Sequence, residues 1–213
     1  MRRFILVIGC ALALLPAAAR ADIACNATTP LKDQKRTKMK HRQPAADSVP
    51  ADQTTVAGMR AFSSPPHMDV SSIRDKDEVL SPLEEKVFRL EGNLWRIKVE
   101  DNDCDFHLEI SEAGTGKKTA RIIAELSQGL PFVEARDTLI QAVKGVKPKV
   151  KLKSGSKIDM KTPIRIRVTG FAFYDSFHFS KKHPQKGVNH GGKSVATLWE
   201  IHPVWRVEIL GSQ

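Results

Sequence analysis

Cysteine and aromatic rings are scarce in this chain: 213 residues carry 3 Cys, 3 Trp and 1 Tyr. One of the thiols, Cys10, lies in an apolar leader, so the rest of the chain holds at most one internal disulfide, Cys25 with Cys104. Such a bridge fits an oxidising compartment and would contribute about 2–4 kcal/mol by closing a long loop. The three tryptophans fall among Ile and Val on apolar faces. Only Tyr174, Phe177 and Phe179 are left as candidate stacking rings, too few for an extended single-strand platform.

Several catalytic signatures are also missing. Gly191-Gly192-Lys193-Ser194 lacks the earlier glycine of a phosphate-binding loop. Ser176, Ser180 and Ser194 lie near histidines, but no nucleophile-elbow pattern surrounds them. Cys104 and His107 resemble a thiol–imidazole pair, yet neighbours so close along a strand need not face one another. There is no internal repeat and no heptad.

The one long apolar run, Phe4 to Ala19, is shorter than the roughly 20 residues needed to cross a bilayer. Arg2 and Arg3 precede it, and Ala19-Arg20-Ala21 follows as a small-x-small cleavage signal. Residues 1–21 therefore read as a signal peptide, and the protein is expected in the periplasm or outside the cell, with no transmembrane segment after cleavage. The formal net charge is +10. A basic cluster in the following stretch holds Lys32, Lys35, Arg36, Lys38, Lys40 and Arg42. Residues 22–79 are polar, without periodic apolar positions, and are expected to form a disordered basic linker.

The folded domain is expected over 80–213. Phe88 and Leu90 alternate with charged neighbours, and the apolar phase then shifts beyond Gly92 to Trp95, Ile97 and Val99, as a bulge or bend produces. Phe106, Leu108 and Ile110 mark a second strand. Ala120, Ile122, Ala124 and Leu126 mark a third. Phe132, Ala135, Arg136, Leu139, Ile140 and Val143 recur at helical spacing, with Pro131 at the start and Gly145 at the end, predicting a helix over 131–144. A fourth strand, 164–175, carries Ile164, Ile166 and Val168, then shifts phase at Gly170 to Phe171 and Phe173. A fifth, 198–209, sets Trp199, Ile201, Trp205, Val207 and Ile209 against Glu200, His202, Arg206 and Glu208. Three strands, a helix and two strands are the order of an OB-like, five-stranded Greek-key barrel, a mainly β fold with one helix.

OB barrels take ligands between the loop joining strands one and two and the loop joining strands four and five. The first loop brings Asp103 and Asp105, with His107 just beyond. The second brings Asp175, His178, Lys181 and Lys182, together with His183 and His190. These make Asp103, Asp105, His107, Asp175, His178, Lys181 and Lys182 the ligand-binding candidates. Glu200 and His202, two apart on one strand face, could join a divalent metal site but read more simply as a structural polar network that sets the barrel's register.

The motifs Asp103-Cys-Asp-Phe-His-Leu108, Gly170-Phe-Ala-Phe-Tyr-Asp175 with His178, and Trp199-Glu-Ile-His-Pro-Val204 resemble a family of uncharacterised exported bacterial proteins. In that family an Asp-x-Asp-x-His-Leu strand precedes a Phe-Phe-Asp-x-x-His segment and a Glu-Leu-His-Pro-Val strand. The similarity spans roughly residues 88–209 and implies an exported, β-rich domain. Its loop between strands four and five departs from the family pattern, with extra lysines and histidines, so no role for His183 or His190 is implied.

The basic charge points to a polyanion partner, either single-stranded nucleic acid or an acidic polysaccharide, held by an exported binding module. A metal-dependent hydrolase or nuclease working from the His/Asp cleft is the alternative. A structural envelope protein with no small ligand is the third reading.

Overall fold

The computed structural model describes residues 36–44, 50–68 and 76–212. The expected signal peptide and Cys25 lie outside them. Helix α1 is Thr37–Lys40, strand β1 is Asp52–Thr54 and helix α2 is Val56–Ala61; the barrel strands are β2, Val87–Val99, β3, Phe106–Glu112, and β4, Arg121–Leu126. Helix α3, Val133–Val146, follows a 3-10 turn at Leu130–Phe132, and β5, Lys157–Tyr174, and β6, Val195–Ser212, complete the chain.

The sheet runs β2-β3-β4-β6-β5 and closes because β5 also pairs with β2. Pairs β2–β3, β3–β4, β2–β5 and β5–β6 are antiparallel, whereas β4–β6 is parallel. This is the closed, OB-like barrel expected from the element order, with α3 between its third and fourth strands. Its interior holds Leu90, Leu94, Ile97, Leu108, Ile110, Ile122, Ile166, Val168 and Ile201. Helix α3 turns Ala135, Leu139, Ile140 and Val143 onto that core. Burying each of its large aliphatic side chains contributes about 1.5–3 kcal/mol.

Two phase shifts differ in detail from expectation. In β2 the irregularity lies between Leu94 and Arg96, so Leu94 stays in the core and Trp95 turns outward. There its indole donates to Ser111 Oγ at 2.9 Å, beneath Arg121. In β5 the inward phase continues past Gly170 to Ala172 and Tyr174. A Cβ on Gly170 would stand 2.5 Å from the Pro203 carbonyl oxygen, so the glycine permits the close approach of β6. Phe171 and Phe173 face outward, under the guanidinium groups of Arg42 and Arg36, at 4.2 and 4.6 Å. The lysine-rich approach to β5 is also strand, because Ile158 and Met160 alternate inward between charged residues.

The largest correction concerns the expected linker. Its described residues dock on the barrel: β1 pairs in parallel with β2, and Val56, Met59 and Met68 join the core. Thr55 caps α2 by accepting from the Gly58 N–H. Arg36, read from sequence as a solvated charge, is 3% exposed and grips Glu84 through two nitrogens at 2.8 Å each. Apolar anchors this far apart leave no periodic signal, so composition alone resembles a linker.

No helix among the described residues is long and apolar enough to cross a membrane. Cys104 is disulfide-bonded, and its partner lies outside the described residues.

Replacing Arg36 would leave the fully buried Glu84 carboxylate without its cation. Arg36→Ala should lower the unfolding free energy by about 3–5 kcal/mol, as for a buried pair broken on one side, in a denaturant titration. The exposed Arg60→Ala should change it by less than about 0.5 kcal/mol. Equal stability of the two variants would refute the docking of the 36–44 segment.

Candidate functional site

The outer face of β3, β4 and β6 is where alternation puts the polar side chains, and the registers line them up. His107 sits between Lys98 on β2 and Glu125 on β4, while Ile123 pairs with Glu200 on β6. In a half-exposed sheet these groups would be solvated. Here the loop between β5 and β6 folds over them from one side and α1 from another, and the acids are sealed in. Asp105 is fully buried, and Glu200, Glu125 and Asp175 are buried as well.

The buried acids alternate with imidazoles along a continuous chain. His107 Nδ1 lies 2.9 Å from Glu125 Oε1. The other oxygen of Glu125 is 3.1 Å from His202 Nδ1, which is also 3.5 Å from Glu200 Oε2. His202 Nε2 faces Asp105 Oδ2 at 3.3 Å and Ser127 Oγ at 3.2 Å. Glu200 Oε1 reaches His190 Nε2 at 2.7 Å, and that nitrogen is 3.5 Å from Asp175 Oδ2. Asp175 then meets His178 Nε2 at 3.7 Å. His178 Nδ1 donates to the Val188 carbonyl at 2.8 Å, which turns Nε2 toward Asp175.

Burial alone would keep the acids neutral, but the cations win. His202, His107 and Lys40 hold Glu125 well below the usual carboxylate range. Glu200 is pushed up by burial and by Glu125, yet hydrogen bonds from His190 and His202 bring it down to about 2. Burial likewise opposes charge on His202, and Glu125 with the Asp105 and Glu200 hydrogen bonds raises it to about 9. His107 and His190 are raised for the same reason, chiefly by Glu125 and Glu200 respectively. Burial also works against the Lys40 ammonium, and Glu125, Asp175, Glu200 and Asp105 together outweigh it. Burial and the charges of Asp105 and Glu125 raise Asp103, the one acid here shifted upward.

A second acidic position on the same face is built differently. Glu109 accepts from Arg96 at 2.9 Å, Arg121 at 2.8 Å and the Gly192 N–H at 2.8 Å. A Cβ on Gly192 would stand 2.7 Å from Glu109 Oε1, so glycine lets the loop backbone close on this carboxylate. Permanent cations saturate Glu109, and it acts as a clamp.

A cavity of about 750 Å³ opens over the chain, with Lys40, Glu125, Asp175, His178, His190 and Glu200 in its wall. Of the residues expected to bind ligand, Asp103, His107, Asp175 and His178 line it. Asp103 also turns the chain, accepting from the Asp105 N–H at 3.1 Å. Asp105 is not in the cavity wall; it accepts from Gln128 N–H and backs His202. Lys181, Lys182 and His183 are exposed and stand away from the cavity. The two loops meet through intermediaries: Glu125, Glu200, His202 and His190 carry contact from His107 to Asp175 and His178.

Glu200 and His202, expected as supports, lie at the centre of this chain, and Glu200 reaches the cavity. Sequence reasoning missed Glu125 and Lys40. The alternation that puts Ile122, Ala124 and Leu126 inside already sends Glu125 to the face of His107. Lys40, isolated in a basic run, carries no comparable signal.

Comparison with protein families, curated proteins and solved structures finds no match to this chain.

The shifts set a pH window for the metal-free protein. His202, raised from 6.5 to about 9, contributes stability fully present below pH 6.5 and lost as pH climbs through about 9. Glu200, lowered from 4.5 to about 2, contributes stability present above pH 4.5 and lost as pH falls toward 2. Denaturant titrations in chelator should therefore show greatest stability between those two ordinary values, with His202→Gln flattening the alkaline limb. An alkaline limb unchanged in that variant would contradict the assignment.

Proposed function

We propose that the protein is an exported binding module that seats a small anionic ligand in the cavity between the β2–β3 and β5–β6 loops. The carrying observation is the position and lining of that cavity. It opens where OB barrels take ligands, and Lys40, Arg96, Lys98 and Lys157 stand in its wall beside three imidazoles. A volume of about 750 Å³ suits a small molecule or one or two units of a polymer. Phe177, 61% exposed at the wall, offers a ring face to a base or sugar. Export is supported by the leader pattern at residues 1–21 and by the oxidised state of Cys104.

Arg96 is committed to Glu109 and Asp159, and Lys98 to Glu100. His107 and His190 are likewise committed to Glu125 and Glu200, so Lys157 carries most of the anion contact. The grouping of Asp175, His190 and Glu200 in the cavity wall favours a second reading, a metal-dependent hydrolase of phosphate esters.

Titration of the full mature chain with a short oligothymidylate and with an oligogalacturonate tests the reading. Binding of one of them should weaken roughly tenfold between about 50 and 200 mM salt, as two or three released counterions imply. Lys157→Ala should weaken it further. Binding indifferent to salt, or absent for both probes, would reject the module. Turnover of a phosphodiester only with added divalent metal would move the conclusion to the hydrolase.

A further inference from the structure

The buried acids raise a question that the anion reading leaves open. Asp105, Glu125, Asp175 and Glu200 lie within one covered region, and among the described residues Lys40 is the permanently charged partner they share. Buried carboxylates are costly without matching positive charge. The imidazoles are the remaining partners, and they are also the side chains best suited to hold a divalent transition metal.

The geometry points to a metal centre with two positions bridged by Glu200. Its outer position takes Glu200 Oε1, Asp175 Oδ2 and His190 Nε2, and its inner position takes Glu200 Oε2, Glu125 Oε2 and His202 Nδ1, with Asp105 against the far nitrogen of His202. A four-coordinate ion with bonds of about 2.1 Å separates its ligand atoms by about 3.4 Å. The outer separations are 3.5 Å for His190–Asp175 and 2.7 Å for His190–Glu200. The inner ones are 3.1 and 3.5 Å. The pairs at 2.7 and 3.1 Å are shorter and stand at hydrogen-bond distance.

Two independent features favour a ligand here over a simple acid–base network. His202 is fully buried, and its Nδ1 stands 3.1 and 3.5 Å from the two glutamates without a well-aligned hydrogen bond to either. The outer contacts are those that metal ligands need. His202 Nε2 faces the Asp105 carboxylate, and the second oxygen of Glu125 is held by His107. Each arrangement presents the remaining atom with a lone pair directed at the centre. The outer position opens to the cavity, which supplies an entry path and room for a water or anion on the ion. Mixed imidazole and carboxylate donors select zinc, manganese, iron or cobalt over calcium or magnesium.

This centre goes beyond the anion module, and it is tested without any anion. Chelator-stripped full-length mature protein is titrated with Zn²⁺, and with Co²⁺ for its visible spectrum, then desalted and assayed for bound metal. The expected result is two equivalents in the wild type and one in Asp175→Ala, a truncation at the cavity wall that should fold. Glu200→Gln, once its fold is verified by circular dichroism, should retain none. Fewer than two equivalents in the wild type, or two retained by Asp175→Ala, would overturn the proposal. The wild type and Asp175→Ala decide the matter even if Glu200→Gln does not fold. Salt-dependent binding of the oligomer probes to metal-free protein is measured separately, so either conclusion can fail without the other.

Discussion

The structure depends on keeping charge balanced where carboxylates have been taken out of water. An ionised acid in a low-dielectric setting is tolerated only beside matched cations or donors. The outer face of β3, β4 and β6 carries Glu109, Glu125 and Glu200, and each is covered. The cover is made of chain that would otherwise have little reason to sit there. Lys40 and Arg36 anchor the N-terminal segment by charge, and His178 and His190 anchor the β5–β6 loop. The barrel builds the acidic face through alternation alone, and the acidic face in turn fixes the segments that close over it.

That order of dependence explains what could be read from the sequence. The barrel was legible because its signal is periodic: Phe106, Leu108 and Ile110 alternate, and Leu139, Ile140 and Val143 recur at helical spacing. The helix and the strand order followed from short-range pattern, and the fold class from their sequence. The errors came where a residue's face is chosen by something distant. Phe171 and Phe173 look like core, yet they face outward because Arg42 and Arg36 from far along the chain lie over them. Trp95 reads as interior for the same reason and is covered by Arg121. Met59 and Met68 sit in polar surroundings, so nothing local marks them as buried.

The candidate site was legible in half. Position in an OB-like fold brought the two loops together, and with them Asp103, His107, Asp175 and His178. It did not show that the loops meet through the sheet between them. His107 and His202 stand on strands that are not neighbours, and Glu125 on the intervening strand touches both. Cross-strand partnership depends on register, and register is set by bulges such as the one between Leu94 and Arg96. His190 and Lys40 come from irregular or sparsely patterned chain, where only the folded geometry shows what a side chain faces.

The identity of each acid's partner separates support from function on this face. Glu84 and Glu109 are matched to arginines, which keep their charge at every accessible pH and cannot become metal ligands. Such a pairing is permanent and leaves nothing for a ligand to replace. Glu125, Glu200 and Asp175 are matched mainly to imidazoles, which can give up a proton and offer a lone pair in its place. If the acids served only to pin the covering segments, arginine would do so more tightly, as it does for Glu109 on the same sheet. Imidazole at four positions along this chain, three of them in the cavity wall, keeps the balance of charge open to exchange. An exchangeable balance is of use where an ion, a proton or an anion comes and goes.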